Sequence, residues 1–520
     1  PGSRRPISLP GLEAGDAIEY VWRRYIPPFA GVPGGMDNRT LFVFQGADRS
    51  YVLSRYVVAH DEATPVSACG NTSGLEFSEE REGRMVIRSW TARNMPRLVV
   101  EPFVADRLEI TPHVRLGMGL TWSIVGDQLR DALVGLLRVD PPLDEMVEQI
   151  RHRSGVLRAT TADQSQRQAQ ALHEVVLERV RPGGSSLLVS TPASAAASAG
   201  ESNRIGVTLA LSRELGLPAR LVLARPLEQR GRALDCPGPD VFLYALVELA
   251  LPEGPIYLDL GNADQPFDSL PPRISGSDAL FIPIDPSQPV EVGLLAERPV
   301  GVLKQQLVSL QLGTDGLVSG RLELTLRGPL AAFTRELLRE VPADRLGEVH
   351  QNMAGSAFPG ARVAAASMSG EQDADSPLGI ALDVEGGVWA RRTPTGYSLP
   401  VTSAPLGLLT QHASLETRRQ ALLLGAPMAQ REIVDLALPD GLEVISMPQP
   451  QHLETRFGRY ELNLRKQRTR VVIERVVDLP VQRIEPEDYA DFREMALAID
   501  EAERREIAVF SAAPAAGPGR

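Results

Sequence analysis

The sequence predicts an α+β protein of several domains, with a β-sandwich first, an α+β domain in the middle and a mostly-β domain last. The chain has 520 residues, more than a single hydrophobic core usually serves. Segments with strand character fill both ends, whereas segments with helical spacing occupy the middle. We place the domains at 1–115, 116–290 and 295–510, followed by a disordered tail at 511–520.

The first 115 residues are predicted to be β structure. β-branched and aromatic residues are concentrated in five segments, which turn clusters such as GVPGGMDN (31–38) separate. The five segments are 15–25, 39–45, 50–61, 84–92 and 97–104. Short strands at this spacing are typical of a sandwich. Because the chain starts PGSRRPISLP without a methionine, we expect a fragment whose signal peptide, if present, lies upstream.

From about residue 116 the apolar residues follow helical spacing. Helices are predicted at 121–137, 143–150 and 163–180. The segment 181–200 is rich in Ser, Ala, Pro and Gly and is predicted to be a loop. The next helix is marked by a buried stripe and by its stop signals, which are Val207, Ala210, Leu211 and Leu215, then Gly216 and Pro218.

Strands dominate the remainder of the chain. Short buried strands are predicted at 219–224, 241–249 and 255–260, and longer ones at 303–312, 320–328, 433–439 and 470–480. Helical inserts are expected near 331–352. A late helix near 486–504 places five apolar residues on one side, namely Tyr489, Phe492, Met495, Ala496 and Ile499.

Composition excludes several classes of function. The net charge is −12, and the most basic cluster, RKQRTR (465–470), fits an exposed strand rim better than a nucleic-acid patch. No run of about 18 apolar residues predicts a membrane span. The seven histidines are scattered without metal-ligand spacing, and no nucleotide-binding glycine motif occurs. We therefore predict no metal, no cofactor, no nucleic-acid partner and no membrane span in this fragment.

The two cysteines, Cys69 and Cys236, form no CxxC unit and no zinc spacing. They could pair only if the fold brings them together. The acidic run EQDADSP (371–377) lacks the spacing of a calcium loop and is predicted to be a solvated loop.

Three central segments carry a family resemblance. They are GESNRIGVTLALSRELGLPAR (200–220), FLYALVEL (242–249) and YLDLGN (257–262). Their order and hydrophobic pattern resemble the transglutaminase-like domain of bacterial proteins that place it between β-sandwich domains. The resemblance covers roughly 1–510 and implies a papain-like α+β fold for the centre.

In that family the first segment carries a helix-opening cysteine as nucleophile, the second a histidine as base, and the third an aspartate that orients the histidine. Carried over by position, these residues are Ser202, Tyr244 and Asp259, so that only the aspartate keeps its type. The resemblance therefore implies a degenerate triad.

The chemistry of these side chains predicts that the triad is catalytically inactive. A thiol has a reference pKa of about 8.5 and is easily activated, whereas a serine hydroxyl needs a strong, well-placed base. Tyr244 is a poor base, since the reference pKa of a phenol is about 10. As structural roles we predict Ser202 as a helix N-cap, Tyr244 as a core ring, and Asp259 as an acceptor for Tyr244 or for backbone amides. Arg204 is expected to pair with Asp259 or with a surface acid.

Three functions remain open. The first is a non-catalytic protein that binds a protein or peptide or acts as a scaffold. The second is an active hydrolase or acyltransferase that uses Ser202, or another serine from the preceding loop, as nucleophile (Ser185, Ser186, Ser190, Ser194 or Ser198). The third is a central domain that only spaces its neighbours. An extracytoplasmic location, periplasmic or secreted, is implied by the resemblance.

Overall fold

The computed structural model describes residues 13, 41–117, 119–137, 141–183, 192–232, 234, 237, 238, 241–261 and 265–511. The predicted strand at 15–25 and the tail beyond Ser511 lie outside the described residues, as do Cys236 and three of the candidate serines, Ser185, Ser186 and Ser190. The described chain is mixed α/β with more strand than helix and with several sheets. The predicted domain borders remain predictions.

Two three-stranded antiparallel sheets form the amino-terminal region. Their strands are β1 (Leu41–Val43), β2 (Tyr51–Asp61), β3 (Ser67–Cys69), β4 (Glu76–Glu82), β5 (Met85–Met95) and β6 (His113–Gly117), and a short helix α1 (Arg107–Ile110) precedes β6. The orders are β1-β6-β3 and β2-β5-β4. A small core of Phe44, Trp90, Val114 and Leu116 joins them.

The strand predicted at 97–104 is wrong. This segment instead lies along the carboxyl-terminal region, where the carboxylate of Glu101 accepts from the backbone N–H groups of Arg419 and Gln420. The carbonyl of Phe103 accepts from the N–H of Leu423 at 2.8 Å. The apolar residues of this segment gave a strand pattern, but its backbone pairs with residues 421–423 at one isolated bridge only, between Val104 and Leu422.

The described residues of the central region form five α-helices and a five-stranded antiparallel sheet. The helices are α2 (Trp122–Leu136), α3 (Pro141–Ser154), α4 (Ala162–Arg179), α5 (Ala193–Ala199) and α6 (Arg204–Leu215). The strands are β7 (Arg181–Pro182), β8 (Glu201–Ser202), β9 (Ala219–Ala224), β10 (Tyr244–Leu251), β11 (Gly254–Leu258), β12 (Asp278–Pro283) and β13 (Glu291–Leu294). The sheet order is β11-β10-β9-β12-β13, and β7 pairs with β8 separately. The helices pack on one sheet face, and a second apolar cluster around Tyr257 and Phe281 covers the other.

Helix α5 corrects the prediction of a loop throughout 181–200. Its sequence, ASAAASA, is mostly alanine, the residue with the highest helix propensity. Gly200 ends it in the left-handed conformation, with φ of 66°. The sequence did not predict this helix because the serine and proline residues in and around α5 give the segment a turn-like composition.

The carboxyl-terminal region contains an eight-stranded sheet and two smaller sheets. Its strands are β14 (Lys304–Leu312), β15 (Leu317–Leu326), β16 (Arg362–Ser369), β17 (Leu378–Val388), β18 (Arg391–Thr393), β19 (Gly396–Pro400), β20 (Leu422–Leu424), β21 (Met428–Ala437), β22 (Leu442–Ser446), β23 (Gln451–Thr455), β24 (Gly458–Gln467), β25 (Arg470–Leu479), β26 (Gln482–Ile484) and β27 (Glu506–Ser511). Its helices are α7 (Gly328–Glu340), α8 (Leu346–Ala357), α9 (Leu408–Gln411) and α10 (Tyr489–Glu503).

The large sheet has the order β16-β17-β15-β14-β21-β25-β24-β23, and β18-β19-β27-β22 form a second sheet. Helix α10 buries the five residues expected on one side, including Phe492 and Ile499. Strand β27 was not predicted, and its last residue, Ser511, falls in the segment assigned to the tail.

Candidate functional site

The three predicted site positions lie at one end of the central sheet. Ser202 ends β8, two residues before α6, and a short turn at Gly216–Pro218 returns the chain from α6 into β9. Ala224, the last residue of β9, pairs with Tyr244, the first of β10. Antiparallel β11 then brings Asp259 to the same end. The side chain of Ser202 lies outside the described part of the structure.

Asn203, not Ser202, is the N-cap of α6. The backbone of Asn203 is extended, with φ of −65° and ψ of 110°, and its side-chain oxygen accepts from the N–H of Ile205 at 3.0 Å. The predicted cap is therefore displaced by one residue. Serine and asparagine are comparably good caps, so the position of the first helical residue, Arg204, decides between them.

Tyr244 and Asp259 form a direct hydrogen bond. The Tyr244 hydroxyl donates to a carboxylate oxygen of Asp259 at 2.7 Å, and the N–H of Gly261 donates to the other oxygen at 3.2 Å. Asp259 thus makes both kinds of contact expected for it, and only 4% of it is exposed. The contact joins the two residues that the resemblance assigns to the base and to its orienting acid.

The pKa values show what this pair can do with a proton. Burial raises the pKa of Tyr244 well above its usual range, and the negative charge of Asp259 raises it further. Burial also raises the pKa of the Asp259 carboxyl, against the opposing effect of the hydrogen bonds from Tyr244 and Gly261. A phenol in this setting donates its hydrogen bond and does not take a proton from a hydroxyl at neutral pH.

Arg204 ties the start of α6 to its surroundings. Its buried guanidinium donates to the carbonyl oxygens of Val180 at 2.6 Å, Leu260 at 3.3 Å and Leu177 at 3.3 Å. Leu177 belongs to the last turn of α4 and Val180 is its C-cap, where carbonyls lack helical partners. Leu260 directly follows Asp259. One side chain therefore links α4, α6 and the end of β11.

A buried histidine that the sequence did not single out as a site residue lies beside this arginine. His173, on α4, is only 2% exposed and its Nε2 has no hydrogen-bond partner in the described structure. Its ring packs against Phe267, with centroids 5.8 Å apart. Asp259 bonds Tyr244 and Gly261, so this imidazole is not oriented by the candidate triad. The sequence feature that indicates the burial of His173 is its position among the apolar residues of α4.

The acidic run 371–377 is not only a solvated loop. A carboxylate oxygen of Asp375 accepts from the N–H of Phe267 at 2.9 Å, which docks this loop of the carboxyl-terminal region onto the central region. The buried guanidinium of Arg335 stabilises the loop by donating hydrogen bonds to the carbonyls of Gly370, Ala374 and Ser376. Three elements distant in sequence therefore meet around His173.

The burial of His173 predicts a pH dependence of stability. Burial lowers the pKa of His173; with the opposing effect of Asp375 and the lowering effect of Arg204 included, the pKa falls from 6.5 to about 4. Between pH 6.5 and pH 4, this histidine is protonated in the unfolded chain but stays neutral in the folded chain. The free energy of unfolding therefore falls as the pH drops towards 4. The loss amounts to about 3 kcal/mol between pH 7 and pH 4.

The measurement is a set of urea unfolding curves at pH 7 and pH 4 for the wild-type chain and for His173→Gln. The variant should lose about 3 kcal/mol less over this interval than the wild type does. His152→Gln, at an exposed position on the adjacent α3, is the matched control. Equal losses in the wild type and His173→Gln would contradict the prediction.

Cys69 is disulfide-bonded. The sequence contains one other cysteine, Cys236, which lies outside the described residues. While oxidised, Cys69 is unavailable as a thiol nucleophile.

Among the residues that the structure describes, no group of three or more His, Cys, Asp or Glu side chains is placed to hold a metal ion. In the same part of the chain, no helix combines the length and the apolarity that a membrane crossing requires.

Comparison with known proteins supports the fold. Residues 399–509 match a family described as a domain of unknown function with solved structure, DUF3858. A crystal structure from Parabacteroides distasonis, described provisionally as a protease, superposes with a TM-score of 0.55 at 11% identity, covering 91% of this chain and 74% of that one. This chain therefore shares the fold of that structure over most of its length.

A second structure is described provisionally as a cysteine protease from Cytophaga hutchinsonii. It covers 50% of this chain and 86% of its own, at 12% identity and a TM-score of 0.19. No curated protein is similar to this chain in sequence.

Proposed function

We propose that this protein is a catalytically silent transglutaminase-like protein that binds a protein or peptide. The observation that carries the proposal is the 2.7 Å hydrogen bond from Tyr244 to Asp259. It occupies with a phenol the place where the resemblance puts an imidazole and its orienting carboxylate. The fold and the aspartate that accepts the hydrogen bond are retained, whereas the histidine that would accept a proton is replaced by a tyrosine.

The loss of the acceptor removes the chemistry. A serine nucleophile must pass its proton to a base during attack, and a phenol whose pKa lies far above neutrality cannot receive it. Removing one member of such a triad leaves only the residual acceleration that binding and electrostatics provide. We therefore assign Ser202, Tyr244 and Asp259 as vestigial positions, with no catalytic residue among them.

We also propose an extracytoplasmic location. Disulfides persist in oxidising compartments and are rare where thiol reductants are abundant. The oxidised state of Cys69 supports this location independently of the resemblance.

The test compares the wild-type chain with Ser202→Ala. Both are treated with a serine-reactive fluorophosphonate probe and assayed for hydrolysis and acyl transfer on peptide substrates. We expect neither turnover nor labelling at residue 202 in either chain. Labelling of Ser202 that disappears in Ser202→Ala, accompanied by turnover, would establish the serine hydrolase or acyltransferase instead.

A further inference from the structure

The loop that joins β16 to β17, residues 370–377, has the acidic sequence GEQDADSP. Both ends of this loop are fixed, because Ser369 pairs with Gly379 in the antiparallel ladder. Within the loop, the carboxylate of Asp373 accepts from the N–H of Asp375 at 3.0 Å and from the hydroxyl of Ser376. The loop is therefore a preorganised unit of the carboxyl-terminal region, and we call residues 370–377 the acidic latch.

The two regions that the acidic latch joins hold it unequally. On its own side, three carbonyl oxygens of the latch accept from the buried guanidinium of Arg335. Towards the central region, the described residues form one hydrogen bond with the latch, from the N–H of Phe267 to the carboxylate of Asp375 at 2.9 Å. Asp375 is exposed, so water competes with this N–H for the carboxylate. We therefore expect the contact with the central region to break before the contacts with Arg335.

Phe267 covers a buried imidazole. Its ring centroid lies 5.8 Å from that of His173, which is only 2% exposed. The Nε2 atom of His173 has no hydrogen-bond partner among the described residues, and a buried nitrogen in this state is costly. Burial lowers the pKa of His173, which the charge of Asp375 opposes and the charge of Arg204 reinforces. An imidazole without a partner therefore lies beneath Phe267 and beside the acidic latch.

This imidazole lies next to the candidate site. Arg204, whose charge acts on His173, donates to the carbonyl of Leu260, the residue after Asp259. Arg204 also donates to the carbonyl of Leu177, which lies one helical turn beyond His173 on α4. The surface that Phe267 closes is therefore adjacent to the residues that we assign as vestigial.

We propose that the acidic latch keeps Phe267 closed over His173, and that release of the latch exposes this imidazole while both regions stay folded. Release breaks the hydrogen bond between Phe267 and Asp375, whereas the bonds from Arg335 keep the latch in place on its own region. Folded proteins open locally at contacts of this kind, which few interactions hold. On the proposed function, on which this inference rests, a protein or peptide partner reaches the surface around His173 only while the latch is released.

The test measures how fast diethyl pyrocarbonate, which modifies accessible neutral imidazoles, reacts with His173 at neutral pH. Mass spectrometry of peptides gives the rate for each histidine, and the exposed His152 is the reference within every sample. Asp375→Ala removes the acceptor for the N–H of Phe267 and should raise the rate at His173, relative to His152, by about tenfold.

The matched control is Glu371→Ala, which removes the same charge from the same loop. Glu371 is exposed and forms no hydrogen bond or ion pair in the described part of the chain, so its replacement should change the relative rate at His173 by less than about twofold. Circular dichroism of each variant establishes that it is folded.

Urea distinguishes release of the latch from unfolding. Moving Phe267 aside exposes little surface, so the rate at His173 should stay constant in urea concentrations below the unfolding transition. A rate that rises with urea as steeply as the unfolded fraction, or equal rates in Asp375→Ala and Glu371→Ala, would overturn the latch and leave the absence of catalysis standing. Labelling of Ser202 by the fluorophosphonate would overturn the proposed function, whereas the rate at His173 decides the latch in either case.

Discussion

Replacing Arg475 by methionine is expected to lower the free energy of unfolding of the carboxyl-terminal region by about 3–5 kcal/mol. Arg475 on β25 lies between two buried carboxylates, 3.3 Å from Glu432 and 2.7 Å from Glu503. All three side chains are less than 5% exposed. Without the guanidinium, two buried carboxylates lose their counter-charge, and such groups are costly away from water.

The same network holds the chain after β19. Glu432 accepts from the Thr402 hydroxyl at 2.6 Å and from the N–H of Ser403 at 2.9 Å, and Arg475 donates to the carbonyl of Ala404 at 2.9 Å. These residues lie within the part that matches the family of unknown function. Loss of Arg475 should therefore loosen residues 402–404 as well as the sheet.

Amide hydrogen exchange of β21 and β25, read by mass spectrometry, measures the effect in this region alone. The matched control is Arg431→Met. Arg431 pairs with Glu474 across the same two strands, but both side chains are partly exposed, so a cost of about 0–1 kcal/mol is expected. Similar protection of these amides from exchange in the two variants would show that the buried network of Arg475 contributes little to the stability of this region.

Arg204→Met should destabilise the central region by about 3–5 kcal/mol. The guanidinium donates to the carbonyls of Val180, Leu260 and Leu177, and two of these belong to the carboxyl end of α4, where carbonyls have no partner within the helix. A cation there also interacts favourably with the α4 dipole. Methionine fills similar volume but leaves buried carbonyl oxygens unsatisfied.

The measurement is a urea unfolding curve together with hydrogen exchange of α4 and α6. Arg213→Met, at an exposed position in the last turn of α6, is the control and should change stability by less than about 1 kcal/mol. A loss in Arg204→Met no larger than in Arg213→Met would show that the carbonyls find other partners and that Arg204 does not hold this end of the sheet together.

Local pattern predicted many elements well. The helix predicted at 121–137 is observed at Trp122–Leu136, and the strand predicted at 219–224 is β9 itself. Helical spacing, the Gly216 stop and a short β-branched run are properties of neighbouring residues, so one sequence suffices to detect them. The failure at 97–104 arose because that segment bonds to residues far away in the chain, whereas the failure at α5 arose because serine and proline give this segment a turn-like composition.

The candidate site was predictable only in part. Ser202, Tyr244 and Asp259 were found through their place in a family pattern, and the structure brings Tyr244 and Asp259 into contact. His173, Arg335 and Asp375 carried no such pattern, although they converge near the same end of the sheet.

The sequence alone determined which residue types stand at the three positions that the resemblance assigns, namely Ser202, Tyr244 and Asp259. It also determined most helices and strands, since these depend on contacts a few residues apart. Only the tertiary structure decided that Tyr244 donates to Asp259 and that Arg204 joins α4, α6 and the end of β11. These features depend on residues that are far apart in the chain and meet only when its cores close.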